Sequence, residues 1–304
     1  MQLMKKINNL ISIFRLENSL KNILIFFPLV FSNREFLLND ILKLTFGVLI
    51  FTIMTSICYV TNDYTDRFKD KINKLKSLKK ILNKKSVIFL NIFLFFFIAY
   101  LYKFTDLFNF YLILYLLFFY LYNFICKKIF LLDILFLISF YIIRIFYGAE
   151  MLQIVISYWF LIFFTTIFII LSTFKRMIQI SVNNLTTEKN NIINYSYKDY
   201  TLLKNIIIIS SIINFLIFAF YLYEIISPNT FNIFYSPETL YQQNIFVLVL
   251  VFLLYFFWLI RLIKLVFNEK LKKDIYIFIL KDKISYFSFV FPALLYIFIK
   301  YFFI

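Results

Sequence analysis

The chain contains no histidine. That removes Ser-His-Asp and Cys-His catalysis, histidine-ligated metals and histidine proton relays. Cysteine is nearly absent. Cys58 and Cys126 sit in apolar segments without CxxC spacing, so inert buried thiols are expected and no disulfide framework. Glycine is down to 2 residues in 304, beside abundant Phe, Ile, Asn and Lys. Such a skew points to a biased codon pool, so an isolated Asn or Lys carries less meaning than usual. Negative charge is scarce too: 16 Asp and Glu stand against 32 Lys and Arg, a net charge of +16.

What is abundant is apolar surface. Hydrophobic residues make up 63% of the chain and the mean hydropathy is +0.86. That lies far outside the soluble globular range and predicts a polytopic membrane protein. Its 45 Phe read as lipid-facing and packing residues rather than nucleic-acid stacking platforms. Excess Lys and Arg in such a chain reports loop topology and anionic headgroups, so no nucleic-acid partner is expected and membrane lipids are. Lys5 and Lys6 open the chain, but Arg15, Glu17 and Lys21 interrupt the apolar run behind them. No removable signal peptide is expected.

Residues 1–22 form a basic amphipathic lead-in. Arg15, Asn18, Lys21 and Asn22 fall on one face if it is α-helical, and the segment runs on through Ile23–Phe31 as a first span. Runs long enough to cross a bilayer follow at roughly 41–61, 86–103, 107–125, 129–148, 155–174, 203–224, 245–267 and 286–303. The expectation is an all-α bundle of about nine transmembrane helices in one domain, 1–304. Residues 67–85 carry nine Lys or Arg, Lys127-Lys128 separates spans four and five, and further basic loops run from Lys175 to Lys204 and from Arg261 to Lys283. No Lys or Arg occurs from Asn205 to Ile260. The positive-inside rule then puts the N-terminus and four basic loops in the cytoplasm and the C-terminus outside.

One stretch stands out at the end of span two: Asn62-Asp63-Tyr64-Thr65-Asp66-Arg67-Phe68-Lys69-Asp70. Spacing i, i+3, i+7 puts Asp63, Asp66 and Asp70 within about 60° on a helix. Like charges repel, and a helix C-terminus disfavours carboxylates. A Mg²⁺ ion would relieve both and is the usual partner of a substrate phosphate. A solvated acidic turn neutralised by Arg67, Lys69 and Lys71 fits the spacing as well. Deeper in the membrane, Arg144 lies inside span five, and an intramembrane Arg is a functional hypothesis by default. A structural pair with Glu150 or Asp133 is its other reading. Gly148, one of the two glycines, suits a close backbone approach there.

Asn62-Asp63-x-x-Asp66-x-x-x-Asp70 after the second span, followed by a Lys-rich loop, resembles the first acidic motif of the UbiA superfamily of intramembrane prenyltransferases. Further residues resemble its decaprenyl-phosphate phosphoribosyltransferase-like branch. Arg15…Lys21-Asn22…Pro28-Leu29 matches that branch's first span, and Asp133…Arg144…Gly148 its fifth. Asn73 to Lys80 keeps the loop lysine as Lys76 but has Lys79 where the branch has Arg. Lys175-Arg176-Met177-Ile178-Gln179 follows the branch's Lys-Arg-x-x-Glu, with Gln179 for the Glu, and Asn194 replaces a downstream Arg ahead of Tyr200. The second acidic pair of ordinary superfamily members, after span six, is missing. Only Glu188 and Asp199 occur there, far apart.

The resemblance implies a Mg²⁺-dependent, multi-pass enzyme of a bacterial inner membrane. It would move 5-phosphoribose from phosphoribosyl diphosphate to a polyprenyl phosphate, with cell-envelope biosynthesis as the family setting. Asn62, Asp63, Asp66 and Asp70 would hold the metal, and the three Asp would be catalytic. Lys21, Asn22, Asn62, Lys76, Lys79, Arg144, Lys175, Arg176 and Tyr200 would bind substrate. The alternative is an ordinary isoprenyl transfer to an aromatic or lipid acceptor. A transporter would spread its polar residues along the spans, whereas here they gather toward one face. Oligomeric state stays open.

Overall fold

The computed structural model describes residues 13–32, 34–35, 37–67, 82–104, 107–184, 195, 197–226, 245–271, 275–285, 287–288, 291 and 294. Among them all regular structure is helical, with nine α-helices and three 3-10 segments. A 3-10 segment, Leu16–Phe26, leads into α1 (Phe27–Phe31). Then come α2 (Leu38–Thr65), α3 (Lys84–Phe104), α4 (Phe110–Phe124), a 3-10 turn (Cys126–Lys128), α5 (Leu132–Leu152) and α6 (Tyr158–Asn184). A 3-10 turn at Tyr197–Asp199 precedes α7 (Tyr200–Ile226), α8 (Ile245–Phe267) and α9 (Ile275–Lys281). Six of these, α2, α3, α5, α6, α7 and α8, are long and apolar enough to cross a membrane. The protein is an all-α integral membrane helical bundle. Expected spans one and four are the shorter apolar helices Asn18–Phe31 and Phe110–Phe124, and most of the ninth lies outside the described residues. Two compact units make up the chain: Met1–Leu29, Phe36–Ile154 and Asn190–Ile192 form the first, and Val30–Glu35, Val155–Lys189 and Ile193–Ile304 the second.

In the first unit, α2 packs on α3, α4 and α5, and the Leu16–Phe26 segment packs on α2 and α5. The segment's 3-10 form has two consequences. At about 2.0 Å per residue, plus about 1.5 Å for each residue of α1, the 16 residues to Phe31 rise about 30 Å, the thickness of the hydrocarbon core. A period of three also replaces the expected α-helical face. Asn22 and Ile25 are buried while Leu20 and Ile23 are exposed. Asn18 and Lys21 therefore share a row from which Asn22 is turned away by about 120°.

At 28 residues, α2 rises about 42 Å and outruns the apolar layer by about 12 Å. Its last turn, with Asp63, therefore reaches the polar zone. The helix ends at Thr65 with Asp66 as its cap, so the shared-face argument covers Asp63 and Asp66. Asp70 lies outside the described residues. On α3, Phe89, Phe95, Phe96 and Tyr102 are all at least 66% exposed, as expected of rings facing lipid.

The shortage of glycine shows at the helix ends. Gln153 closes α5 and Glu269 follows α8 in the left-handed conformation, where glycine is the usual residue. The Ile154 N–H reaches the Ala149 carbonyl at 2.9 Å, and that of Lys270 reaches Leu265 at 3.1 Å. Both stops satisfy helix-end carbonyls at a backbone cost of about 1 kcal/mol each. The glycine that is kept explains itself. A Cβ on Gly148 would run into the backbone carbonyl of Ile25, so the first segment lies directly on α5 there.

In the second unit, α6 pairs with α7, and α8 and α9 pack on α6. Helix α6 runs ten residues past its expected end at 174. From Phe174 to Ser181 all residues but Lys175 and Gln179 are buried, so burial around most of its circumference holds this continuation. Asn214 on α7 ties three helices together. Its amide donates to Thr166 Oγ1 at 2.7 Å and to the Phe163 carbonyl at 3.1 Å, and Tyr255 donates to it at 2.9 Å.

Candidate functional site

In the first unit the end of α2 collects cations from two other elements. Arg15, at the head of the 3-10 segment, forms an ion pair with Asp63, and its guanidinium lies 5.7 Å from the Tyr59 ring centre. Lys127, in the turn between α4 and α5, donates to Asp66 Oδ1 at 2.5 Å, to Asn123 Oδ1 at 3.2 Å and to Asn62 Oδ1 at 3.3 Å. The Thr65 hydroxyl reaches the Asn62 carbonyl at 2.9 Å and Asn123 Oδ1 at 3.1 Å. The physical need is plain. Two carboxylates at a helix C-terminus face like charge and an unfavourable dipole, and cations from neighbouring helices offset both. Arg67 instead stacks over Tyr64, 4.6 Å from the ring centre.

Deeper in the same unit sits Arg144, 2% exposed. Its Nε donates to Asn22 Oδ1 at 2.8 Å, its Nη2 to the Tyr115 hydroxyl at 3.1 Å and its Nη1 to the Phe140 carbonyl. Phe51 and Tyr115 present ring faces at 5.3 and 5.1 Å. Asn22 in turn donates to Thr52 Oγ1 at 3.0 Å and lies 3.5 Å from Thr55 Oγ1. The expected partners Asp133 and Glu150 are not the answer. Asp133 is about 16 Å down the helix, and Glu150 is turned about 120° away. Among the described residues the partners of this guanidinium are neutral, so hydrogen bonds and ring quadrupoles stabilise it. It clamps the first segment to α4 and α5.

Among the residues expected at the site, Asn22, Asn62, Asp63, Asp66 and Arg144 thus fall into two polar clusters of the first unit. Lys21 belongs to that unit and is half-buried. Asp70, Lys76 and Lys79 lie outside the described residues. Lys175, Arg176 and Tyr200 belong to the second unit. There Arg176 donates to Gln179 at 2.6 Å and lies 5.9 Å from the Tyr195 ring. Gln179 gives it a neutral bond where a glutamate would give an ion pair. Tyr200 donates to the Phe267 carbonyl at 3.4 Å.

Sequence reasoning missed Lys127, Asn123 and Tyr115. Lys127 reads as one of two topogenic lysines, and Asn123 as a stray polar residue. Their spacing was the usable signal: a lone Asn at a span's end, one helical turn before a Lys.

The donor set fits magnesium. It offers oxygen alone, from Asp63, Asp66 and Asn62, and no group of three His, Cys, Asp or Glu gathers among the described residues. Magnesium is commonly held by one or two carboxylates, with water and substrate phosphate in the other positions; here Asp63 and Asp66 are paired with Arg15 and Lys127.

No protein-family model matches the chain, and no curated protein matches it by sequence. A solved structure does. It comes from work on digeranylgeranylglyceryl phosphate synthase in membranes, superposes with a TM-score of 0.56 at 15% identity, and spans 99% of this chain and 100% of its own. The chain shares the fold of that membrane enzyme. At that identity the likeness concerns the fold alone, and Cys58 and Cys126, both buried and free, add no chemistry to it.

Proposed function

We propose that the chain is an integral-membrane transferase that takes a group from a diphosphate donor beside the lipid. In the specific reading, 5-phosphoribose leaves phosphoribosyl diphosphate for a polyprenyl phosphate. The observation that carries the general reading is the pairing at the end of α2, where Asp63 and Asp66 lie against Arg15 and Lys127. Carboxylates for a metal and cations for phosphate stand side by side.

The residues divide the work by their chemistry. Asp63, Asp66 and Asn62 would hold magnesium, with Asp70 the next candidate. Magnesium, when bound, neutralises the departing diphosphate. Arginine can take phosphate oxygens bidentately, whereas lysine acts as a point charge. As the bond from the anomeric carbon to diphosphate oxygen breaks, positive charge grows on the sugar and negative charge on the leaving group, and preorganised charges answer both. The acceptor phosphate is already an anionic nucleophile, so a chain without histidine needs no general base. Lys76, Lys79, Lys175 and Arg176 remain candidates for donor phosphates, and Lys21 for either substrate. The loop charges argue for a cytoplasmic site.

For the sugar donor speaks the missing second acidic pair after span six. For an isoprenyl donor speaks the neighbouring fold, solved for a digeranylgeranylglyceryl phosphate synthase. Purified full-length protein in nanodiscs, given Mg²⁺, polyprenyl phosphate and either labelled donor, separates them. The expected result is Mg²⁺-dependent entry of label from phosphoribosyl diphosphate into the lipid fraction. Label from isoprenyl diphosphate alone would overturn the sugar reading.

A further inference from the structure

We infer that Arg144 is a positioning residue. Through Asn22 it fixes the register of the first segment, and with it the place of Arg15 on Asp63. The inference rests on the metal-holding role proposed above for Asp63, and it removes Arg144 from the groups that would touch substrate. At 2% exposure, with Phe51 and Tyr115 over its faces, the guanidinium has no side left for a phosphate. Its Nε, Nη1 and Nη2 each donate to a protein group, on Asn22, Phe140 and Tyr115.

The first segment shows what this clamp does. It keeps the 3-10 form over 11 residues, Leu16–Phe26, whereas such runs rarely exceed about four residues because their hydrogen bonds are poorer. Bonds from residue i to i−3 stand at both ends: the Asn18 N–H reaches the Arg15 carbonyl at 2.8 Å, and the Phe27 N–H reaches that of Leu24. A form this costly is imposed from outside the segment, and α5 imposes it. Asn22 meets Arg144, and the Ile25 carbonyl lies over Gly148. The four-residue step along α5 from Arg144 to Gly148 rises about 6 Å. Three residues of 3-10 helix also rise about 6 Å, but three of α-helix only about 4.5 Å. Two contacts on α5 thus select the 3-10 pitch.

That pitch decides where Arg15 stands. Asn22 is held on α2 as well, 3.0 Å from Thr52 Oγ1 and 3.5 Å from Thr55 Oγ1. Asp63 lies eight residues beyond Thr55 and eleven beyond Thr52, a rise of about 12–17 Å along α2. Back from Asn22 to Leu16 the 3-10 segment covers about 12 Å, and Arg15 stands one residue further, in the left-handed conformation. An α-helical segment would cover only about 9 Å and would turn its head about 120° relative to Asn22. Arg15 would then face away from Asp63. The Arg15–Asp63 pair is therefore set from Arg144. It matters for a metal because the partners behind a ligating carboxylate hold it in the orientation that binds.

The test is a double-mutant cycle on the detergent-purified full chain, with Mn²⁺ as a paramagnetic probe of the metal site. Arg144→Met and Arg15→Gln should each weaken Mn²⁺ binding about tenfold. The double variant should also lose about tenfold rather than about a hundredfold, since both changes cut the same connection. Asn22→Ala leaves Arg144 its bonds to Tyr115 and Phe140, and it carries the same prediction should the Met variant not fold. Mn²⁺ affinity unchanged or raised in Arg144→Met, with only the melting temperature lowered, would make Arg144 a structural clamp and overturn the inference. Additive losses in the double variant would overturn it too. Wild type that binds no Mn²⁺, with or without inorganic diphosphate, would instead sink the metal reading itself.

Discussion

The two units each bury a carboxylate against a cation, and they do so differently. In the second unit Asp282 takes both oxygens to Arg261, at 2.6 and 2.9 Å, and its Oδ2 also accepts the Ser285 N–H at 2.7 Å. Arg261 completes the knot by reaching Ser285 Oγ at 3.3 Å. This is a closed fork, and it joins α8 to the stretch after α9. In the first unit, among the described residues, Asp66 is held through one oxygen by the Lys127 ammonium. The second unit thus holds its carboxylate with a bidentate arginine, the first with a lysine point charge.

The sharpest break of that contrast is Asp66→Asn or Asp63→Asn set against Asp282→Asn. Either change at α2 should remove metal-dependent turnover, a loss of a thousandfold or more, since a missing metal contact weakens every charge in the transition state. Membrane insertion should be intact. Asp282→Asn should keep turnover within a few fold and lower thermal stability instead. Equal losses of activity in all three variants would erase the distinction.

Next in size is Gly148→Ala. The added methyl would meet the Ile25 carbonyl, backbone rather than a flexible side chain, so α5 and the first segment must part. Overpacking of that kind costs about 1–3 kcal/mol. The same shift would carry Asn22 off Arg144 and Arg15 off Asp63. A lower melting temperature together with lower Mn²⁺ affinity is therefore expected, with the Asp282 fork untouched. Lower stability at unchanged metal affinity would show that the first segment does not position the site.

These contrasts also bound what could be read in the residues alone. Spans were legible because apolar runs of bilayer length have no other use, and expected span 245–267 coincides with α8. The end of α6 was not legible, because its polar continuation is held by burial in the second unit rather than by overall hydropathy. The acidic motif was legible as chemistry, being a tight cluster of acids in a chain with few. Its counter-charges were not. Arg15 comes from 48 positions away and Lys127 from 61, and nothing local marks which of many cations will arrive. Arg144 was recognised as unusual, but its neutral cage draws on Asn22 and Tyr115, which only tertiary packing assembles.

The smallest effect tests the closed side of the comparison through pH. The Arg261 fork is the main force holding the Asp282 carboxyl low. Burial opposes it, the Ser285 hydroxyl and N–H add to it, and the group moves from its ordinary 3.8 to about 2. A depressed carboxylate stabilises the fold above its ordinary value and loses that contribution as pH falls through the folded one. The window is therefore about pH 4 down to about pH 2, and the amount, screened by solvent, is about 1 kcal/mol. The measurement is the difference in thermal stability between wild type and Asp282→Asn in detergent, followed from neutral pH to pH 2. Taking the difference cancels the other carboxylates that titrate alongside. It should be constant above about pH 5 and shrink toward zero at the acid end. A difference that ignores pH would mean that the fork contributes packing and hydrogen bonds but no charge, and the contrast with the lysine-held Asp66 would then rest on geometry alone.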